Sequence, residues 1–265
     1  MPGKNPVWAL VIAGSDCSGG AGLQADVKTF SAFRVMAATV LTSVVAERPG
    51  KISAIWPLPQ SMIREQFQCI RETIAPVSAK VGMLYRGETI EAVANELQSF
   101  KPLPRLVVDP LIRSSSGEAL LQKDALFSLK DKLIPMATVF TPNLYEAMVL
   151  LEKEITGPEE AAEASQELAR KFGAPVLIKG GHIKGSWAID FFSDGNKVEE
   201  LEAPRIENAD PHGTGCALSS AIAAGLALGL GLREAIFLAK LFVTQAIAKS
   251  FPAIHGQFLD LFPLI

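Results

Sequence analysis

Residues 210–220, DPHGTGCALSS, set Gly213 and Gly215 on either side of Thr214 and follow them with Cys216 and a run of small apolar residues. Bare backbone amides at the start of a helix can face an anion. Cys216 in that place is either a small packing residue or a thiol shifted toward thiolate by the helix terminus, able to accept a proton. Four more glycine-rich or polar clusters recur along the chain: GSDCSGGAG from Gly14, DPLIRSSSG from Asp109, TPNLYE from Thr141 and KGGH from Lys179. Each follows a short apolar run of strand character. In an open parallel sheet ligands bind outside the carboxyl ends of the strands, so five clusters at such ends outline one site.

Taken singly, the residues keep two readings. Lys179, between a buried strand and two glycines, is a phosphate contact or a lysine snorkelling to the surface. Asn143 and Glu146 either cap the helix after Pro142 or organise magnesium. Asp109, ahead of Pro110, opens a turn or, as an acid at a buried strand end, needs a cation such as Lys179 or Mg²⁺. Asp26 is a solvated helical acid or a group turned toward the glycine loop. His212 bonds at a helix entry or takes part in chemistry. The glycines at 14, 19, 20 and 22 lack the GxGxxG spacing of a dinucleotide-binding loop.

The elements that must position these residues alternate along the chain. WALVIAG, RLVVDP, TVFTP and PVLIKGG are continuous apolar runs suited to strands buried on both faces. Between them GLQADVKTFSAFR, PQSMIREQFQCIRETI, ETIEAVANELQSF, DALFSLKDKLI and PEEAAEASQELARKFG carry the helical period. SWAIDFFSDG and KVEELEAPRI, joined through SDGN, predict a hairpin at a sheet edge. Two helices, over 213 to about 229 and 232 to about 250, close the chain. The expectation is an α/β fold of three layers with a mostly parallel central sheet, forming a single domain over residues 1–265.

Composition removes several classes of function. With 265 residues, a formal charge of -3 and scattered basic residues, no stripe suits nucleic acid. Three dispersed cysteines and three dispersed histidines give neither a disulfide framework nor a zinc site, and a reducing cytoplasm fits them. Residues 213–232 are uncharged but rich in Ala and Gly, which predicts a buried helix broken near Gly229 and Gly231 rather than a membrane span. The apolar tail HGQFLDLFPLI is expected to dock, with a second subunit as one surface for it; a homodimer is the expected assembly.

Read together, IAGSDCSGGAGLQADVKTFSAF, KVGML, VVDP, TPNLYEA, LIKGGH, APRI and HGTGCALSSAIAAGLA resemble the ribokinase-like superfamily, specifically the hydroxymethylpyrimidine/phosphomethylpyrimidine kinases of thiamine biosynthesis. The resemblance runs from about residue 7 to 250. It implies transfer of the ATP γ-phosphoryl group to a pyrimidine hydroxymethyl group or its monophosphate, with Mg²⁺. It further implies that Gly14, Ser15, Asp26, Val45, Met83 and Leu111 surround the pyrimidine. Asn143 and Glu146 would organise magnesium and its water, with Asp109 contributing through water. Lys179, His212, Gly213, Thr214 and Gly215 would face ATP, with Gly213–Cys216 as the anion hole and Cys216 as general base. A pyridoxal-type kinase and a non-catalytic pyrimidine-binding regulatory protein are the alternatives.

The chain departs from the family pattern at four places. Glu47 stands where a glutamine is usual in the second strand, Cys17 where a proline is usual, Ser115 in place of a lysine and Pro211 in place of a threonine. An ionised Glu47 can only accept hydrogen bonds, whereas a glutamine amide both donates and accepts. The expectation is that Glu47 shifts recognition toward the monophosphate or another heterocycle.

Overall fold

The computed structural model describes residues 6–114, 117–181, 183, 185–209 and 211–262. Ser115, His182 and Asp210, each part of a cluster quoted above, lie outside the described residues. The first half runs β1 (Trp8–Ala13), α1 (Gly22–Ala32), β2 (Met36–Leu41), β3 (Ser43–Arg48), β4 (Lys51–Pro57), α2 (Gln60–Thr73), β5 (Ser78–Val81), α3 (Gly87–Gln98), β6 (Arg105–Val108) and α4 (Ala125–Ser128). The second half continues with β7 (Val139–Phe140), α5 (Leu144–Leu151), α6 (Pro158–Phe172), β8 (Val176–Ile178), β9 (Trp187–Ser193) and β10 (Val198–Pro204). It ends with α7 (Thr214–Ala227), α8 (Leu232–Ala248), β11 (Phe251–Pro252) and β12 (Gln257–Phe258).

Eight strands form one sheet in the order β10-β9-β8-β7-β6-β5-β1-β2. The run from β2 through β8 is parallel, and β9 turns antiparallel against β8 and pairs with β10 as the expected edge hairpin. Burial on both faces explains the continuous apolar runs. In β1, Leu10 and Ile12 enter one core layer and Ala9, Val11 and Ala13 the other, all with 0% exposure.

The second layer is built on α7, where every residue from Cys216 to Ala227 is buried. Its small side chains let it lie close to α8: a Cβ added at Gly225 would come within 3.0 Å of the Ala235 Cβ. The helix stops before Gly229, whose φ of +88° suits glycine. Among the described residues no helix is long and apolar enough to cross a membrane.

Two features differ from the sequence expectations. The strand holding Glu47 is not the second strand of the sheet: it is β3, which leaves the sheet and pairs with β4 as a separate antiparallel flap. Alternation in VVAER and KISAIW around PGK carries this hairpin in the sequence. The helix expected over 124–134 is α-helical only to Ser128, then widens into a π turn (Leu129–Leu133) and a 3₁₀ turn (Ile134–Met136) at Pro135, which has no amide to donate. As expected, the C-terminal segment docks, with Leu259 and Leu261 buried in the α7 layer; residues 263–265 of HGQFLDLFPLI lie outside the described residues.

Candidate active site

The glycine loop after β1 is held from two sides. Leu23 donates its backbone N–H to the Gly14 carbonyl, and Ser15 donates its own to the Ser43 carbonyl, so the loop is stitched to the first residue of the flap. The Ser15 hydroxyl accepts from the Val45 amide at 3.3 Å. Val45, Met83 and Leu120 form a small apolar cluster of their own, with Leu111 against it. Four of the positions named for the pyrimidine, Gly14, Val45, Met83 and Leu111, thus meet beneath the flap.

A second group lies where β6, β7 and β8 end at the start of α7. The Lys179 Nζ is 2.6 Å from the Asp109 carboxylate, which also accepts from Thr141 and Ser219. Lys179 is therefore no snorkelling surface residue: the cation demanded by a buried acid at a strand end is this lysine. A Cβ added at Gly215 would stand 3.3 Å from the Lys179 Nζ, so the ammonium faces the first turn of α7. Burial opposes the charge of Lys179, but Asp109 and Glu146 more than restore it and raise its pKa.

Gly213 makes the turn into α7 possible. Its φ is +87°, and a Cβ there would fall 1.9 Å from the Gly20 carbonyl oxygen. Thr214 and Gly215 begin the helix, and the Thr214 hydroxyl donates to the Pro211 carbonyl. The helix start therefore abuts the loop after β1.

Asn143 and Glu146 realise the capping reading. The Asn143 side chain accepts from the Glu146 amide at 2.8 Å, and the Glu146 carboxylate accepts from the Asn143 amide at 2.8 Å. The other Glu146 oxygen accepts from the Ile112 amide at 3.2 Å. Burial, then the neighbouring Asp109, push the Glu146 carboxyl up to about 7, although Lys179 and the two amides pull the other way.

Two expectations are corrected. Asp26 is neither solvated nor open to a pyrimidine, because it is wholly buried and its oxygens are taken by Lys80 at 2.7 and 2.9 Å and by the Ser220 hydroxyl at 2.7 Å. Burial raises the Asp26 pKa even with Lys80 beside it. Cys216 is not shifted toward thiolate: burial pushes the thiol up to about 12, and Lys80 offsets only part of that while Asp26 and Asp109 add to it. The backbone amide of Gly22 hydrogen-bonds the sulfur, so the cysteine sits on the α7 side of the glycine loop.

His212 is drawn toward the loop and flap. Its Nε2 lies 3.0 Å from Asp16 and 3.5 Å from Glu47. Burial works against ionisation of Asp16, yet hydrogen bonds from His212, Ser18 and the Ser18 and Ala21 amides prevail and hold the carboxyl at about 2. Glu47 has few such donors, so burial and the charge of Asp16 raise its carboxyl to about 7. Glu47 is therefore not the fixed anion the sequence suggested, and near neutrality it exists in both forms.

Sequence reasoning missed Lys80 and Ser43. Lys80 is 0% exposed inside β5, and its only signal was a lysine in an apolar strand within KVGML. Ser43 opens the flap that was not foreseen.

With this geometry in view, residues 16–259 match the family model for phosphomethylpyrimidine kinase. The chain belongs to that family. It is 44% identical to the hydroxymethylpyrimidine/phosphomethylpyrimidine kinase of Rhizobium meliloti over 91% of each chain. The enzyme of the same name from Streptomyces coelicolor is 40% identical over 95% of this chain and 92% of its own. The fold is likewise that of solved family members: the phosphomethylpyrimidine kinase of Clostridium difficile superposes with a TM-score of 0.79 at 36% identity, covering 91% of this chain and 99% of that one. A pyridoxal kinase of Bacillus subtilis, solved as an ADP complex, superposes with a TM-score of 0.88 at 37% identity over 96% of this chain and 97% of its own. As a member of the phosphomethylpyrimidine kinase family, the chain is a phosphotransferase with a ribokinase-like fold.

Proposed function

We propose that the protein transfers the ATP γ-phosphoryl group to 4-amino-5-hydroxymethyl-2-methylpyrimidine and to its monophosphate, giving the diphosphate precursor of thiamine. The observation that carries the assignment of roles is the convergence of Lys179 on the first turn of α7 at Gly215, 3.3 Å from where a Cβ would stand, with Cys216 next in the chain. Phosphoryl transfer depends mostly on positioning and on neutralising the migrating group, and a lysine facing helix amides supplies both. Gly213, Thr214, Gly215 and Cys216 form the anion hole, and Lys179 contacts the phosphates with Asn143 nearby. Gly14, Ser15, Val45, Glu47, Met83 and Leu111 enclose the ring. His212 orients Asp16 and Glu47 at the same mouth rather than a phosphate.

The acids suit a divalent cation. Asp109 and Glu146 are buried side by side with the ammonium of Lys179 between them, and burial, then the charge of Asp109, pushes Glu146 up to about 7. Asp109 and Glu146 would hold Mg²⁺ through water, where it would neutralise the triphosphate. Cys216 is the proposed base; because its thiol rests near 12, base catalysis draws on a minor thiolate fraction and kcat should rise with pH.

A panel assay over the pyrimidine alcohol, its monophosphate and pyridoxal, with Mg²⁺ titrated, tests the function. Turnover of the two pyrimidines above pyridoxal is the expected result, and preference for pyridoxal would replace it. The second reading, a pyridoxal-type kinase, draws on the higher TM-score of 0.88 to a pyridoxal kinase against 0.79 to the Clostridium difficile enzyme. Comparing kcat/KM for alcohol and monophosphate in wild type and Glu47→Gln then tests whether Glu47 sets the preference between them. A cytoplasmic homodimer is the proposed setting, supported by Val44 and Trp56, which pair across the outer face of the flap and are 49% and 72% exposed. Sedimentation at micromolar concentration decides the assembly.

A further inference from the structure

Among the described residues, the hydroxyl of Ser43 is the one buried side-chain polar atom with no hydrogen-bond partner. The residue is 1% exposed. A buried hydroxyl left unpaired costs free energy that an alanine in the same place would not. Its position is specific. A Cβ added at Gly14 would lie 2.5 Å from the Ser43 Oγ, 3.4 Å from the Met83 Sδ and 3.6 Å from the Val45 Cγ2. One point in space thus gathers Ser43 with Gly14, Val45 and Met83, the three residues that the proposed function sets against the heteroaromatic ring. Ser43 brings the only polar side chain among them.

The alternation along β3 keeps Ser43 and Glu47 on the same face across a bulge between Ala46 and Glu47. Along β3, Ser43 and Val45 are buried and Glu47 is half-buried, while Val44, Ala46 and Arg48 are exposed. The inward face therefore presents a hydroxyl, an apolar side chain and a carboxyl in line. With that bulge, Ser43 and Glu47 are at most about 13 Å apart along the strand, within reach of a substituted six-membered ring hydrogen-bonded at either end. The glycine loop joins this face to the reacting end: the Gly14 carbonyl accepts from Leu23, and the neighbouring Gly22 amide bonds the Cys216 sulfur.

We propose that Ser43 is a specificity-determining residue whose hydroxyl hydrogen-bonds a heteroatom on the edge of the bound heteroaromatic ring, either a ring nitrogen or an exocyclic amine. A hydroxyl serves both, since it donates and accepts. Met83, unbranched and adaptable, is the cover that the ring displaces on entering. The proposal rests on the substrate site assigned under the proposed function.

Steady-state kinetics of Ser43→Ala and Ser43→Cys test it. Loss of one neutral hydrogen bond should raise KM for the pyrimidine alcohol about 3- to 10-fold, leave KM for ATP and kcat nearly unchanged, and leave Tm equal or higher. Ser43→Cys keeps a similar volume but bonds weakly, so its KM should follow that of the alanine variant. Unchanged KM in both variants overturns the assignment. A KM for ATP that rises in parallel with a fall in Tm also overturns it, by marking a structural role. Wild-type protein that phosphorylates no member of the panel overturns the proposed function itself, and this inference with it, before any variant is compared.

Discussion

The His212 imidazole stands 3.5 Å from the Glu47 carboxylate. This contact crosses from the helix entry before α7 to the inner face of the flap, and Asp16 of the glycine loop holds the same imidazole nitrogen at 3.0 Å. Three segments distant in sequence are therefore clamped by one ring, and the charge of that clamp changes near neutral pH.

Glu47 titrates near 7 in the folded protein against an ordinary value of 4.5, so the folded state holds its proton over a range where the unfolded chain has lost it. Its contribution to stability is present at low pH and is lost as pH rises through about 7. The raised pKa of His212 acts in the same direction, its contribution lost as pH rises through the folded value. Differential scanning from pH 6 to 8 should show Tm falling, with a smaller slope in Glu47→Gln; equal slopes would remove Glu47 from the account.

The same titration should reach the substrate. Protonated Glu47 donates as well as accepts, as a glutamine amide does. KM for the pyrimidine alcohol should rise across pH 6 to 8 in the wild type and stay flat in Glu47→Gln.

Cys216 should lower kcat far more than it weakens ATP binding when changed to alanine, with a fall of about 100-fold or more expected for loss of a general base. Equal kcat in the two proteins would return Cys216 to packing. Independently, timed alkylation read by mass spectrometry at pH 7 should label exposed Cys17 and Cys69 well before buried Cys216, whose thiol rests near 12.

Asp26 and Lys80 form an ion pair with 0% side-chain exposure on both partners. Asp26→Ala leaves a buried ammonium uncompensated and should cost about 3–5 kcal/mol in urea unfolding. Asp26→Leu combined with Lys80→Met should recover most of that loss. Failure to recover it would mean that the pair serves a further purpose in the fold.

Glu146→Gln separates capping from magnesium. The glutamine oxygen can still accept from the Asn143 amide and keep the cap, while its NH₂ then faces the Ile112 amide, so stability should fall by about 1–3 kcal/mol. The Mg²⁺ concentration required for half-maximal activity should nonetheless rise about tenfold or more. An unchanged requirement would leave Glu146 as a cap alone.

Much of this is legible in the sequence. Apolar runs buried on both faces announce a parallel sheet, and residue chemistry at the strand ends places Lys179, Asp109, Asn143 and the Gly213–Cys216 turn on one edge, because side-chain periodicity and glycine spacing are local properties. The β3–β4 flap escaped because its short alternating strands lie directly after a buried sheet strand, with no break in composition between them.

The sequence by itself determined the fold class, the order of the motifs and the family to which they point. Only the tertiary structure decided the charge states and the partners. Asp26 looked like a solvated acid until Lys80, from a strand distant in sequence, met it in the core. Cys216 looked activated by its helix terminus until the depth of its burial was known, and Glu47 looked like a fixed anion until burial and the charge of Asp16 were set against it. Desolvation and Coulomb forces act through space between segments far apart in the chain, so their balance at each group is settled only once the fold has brought those segments together.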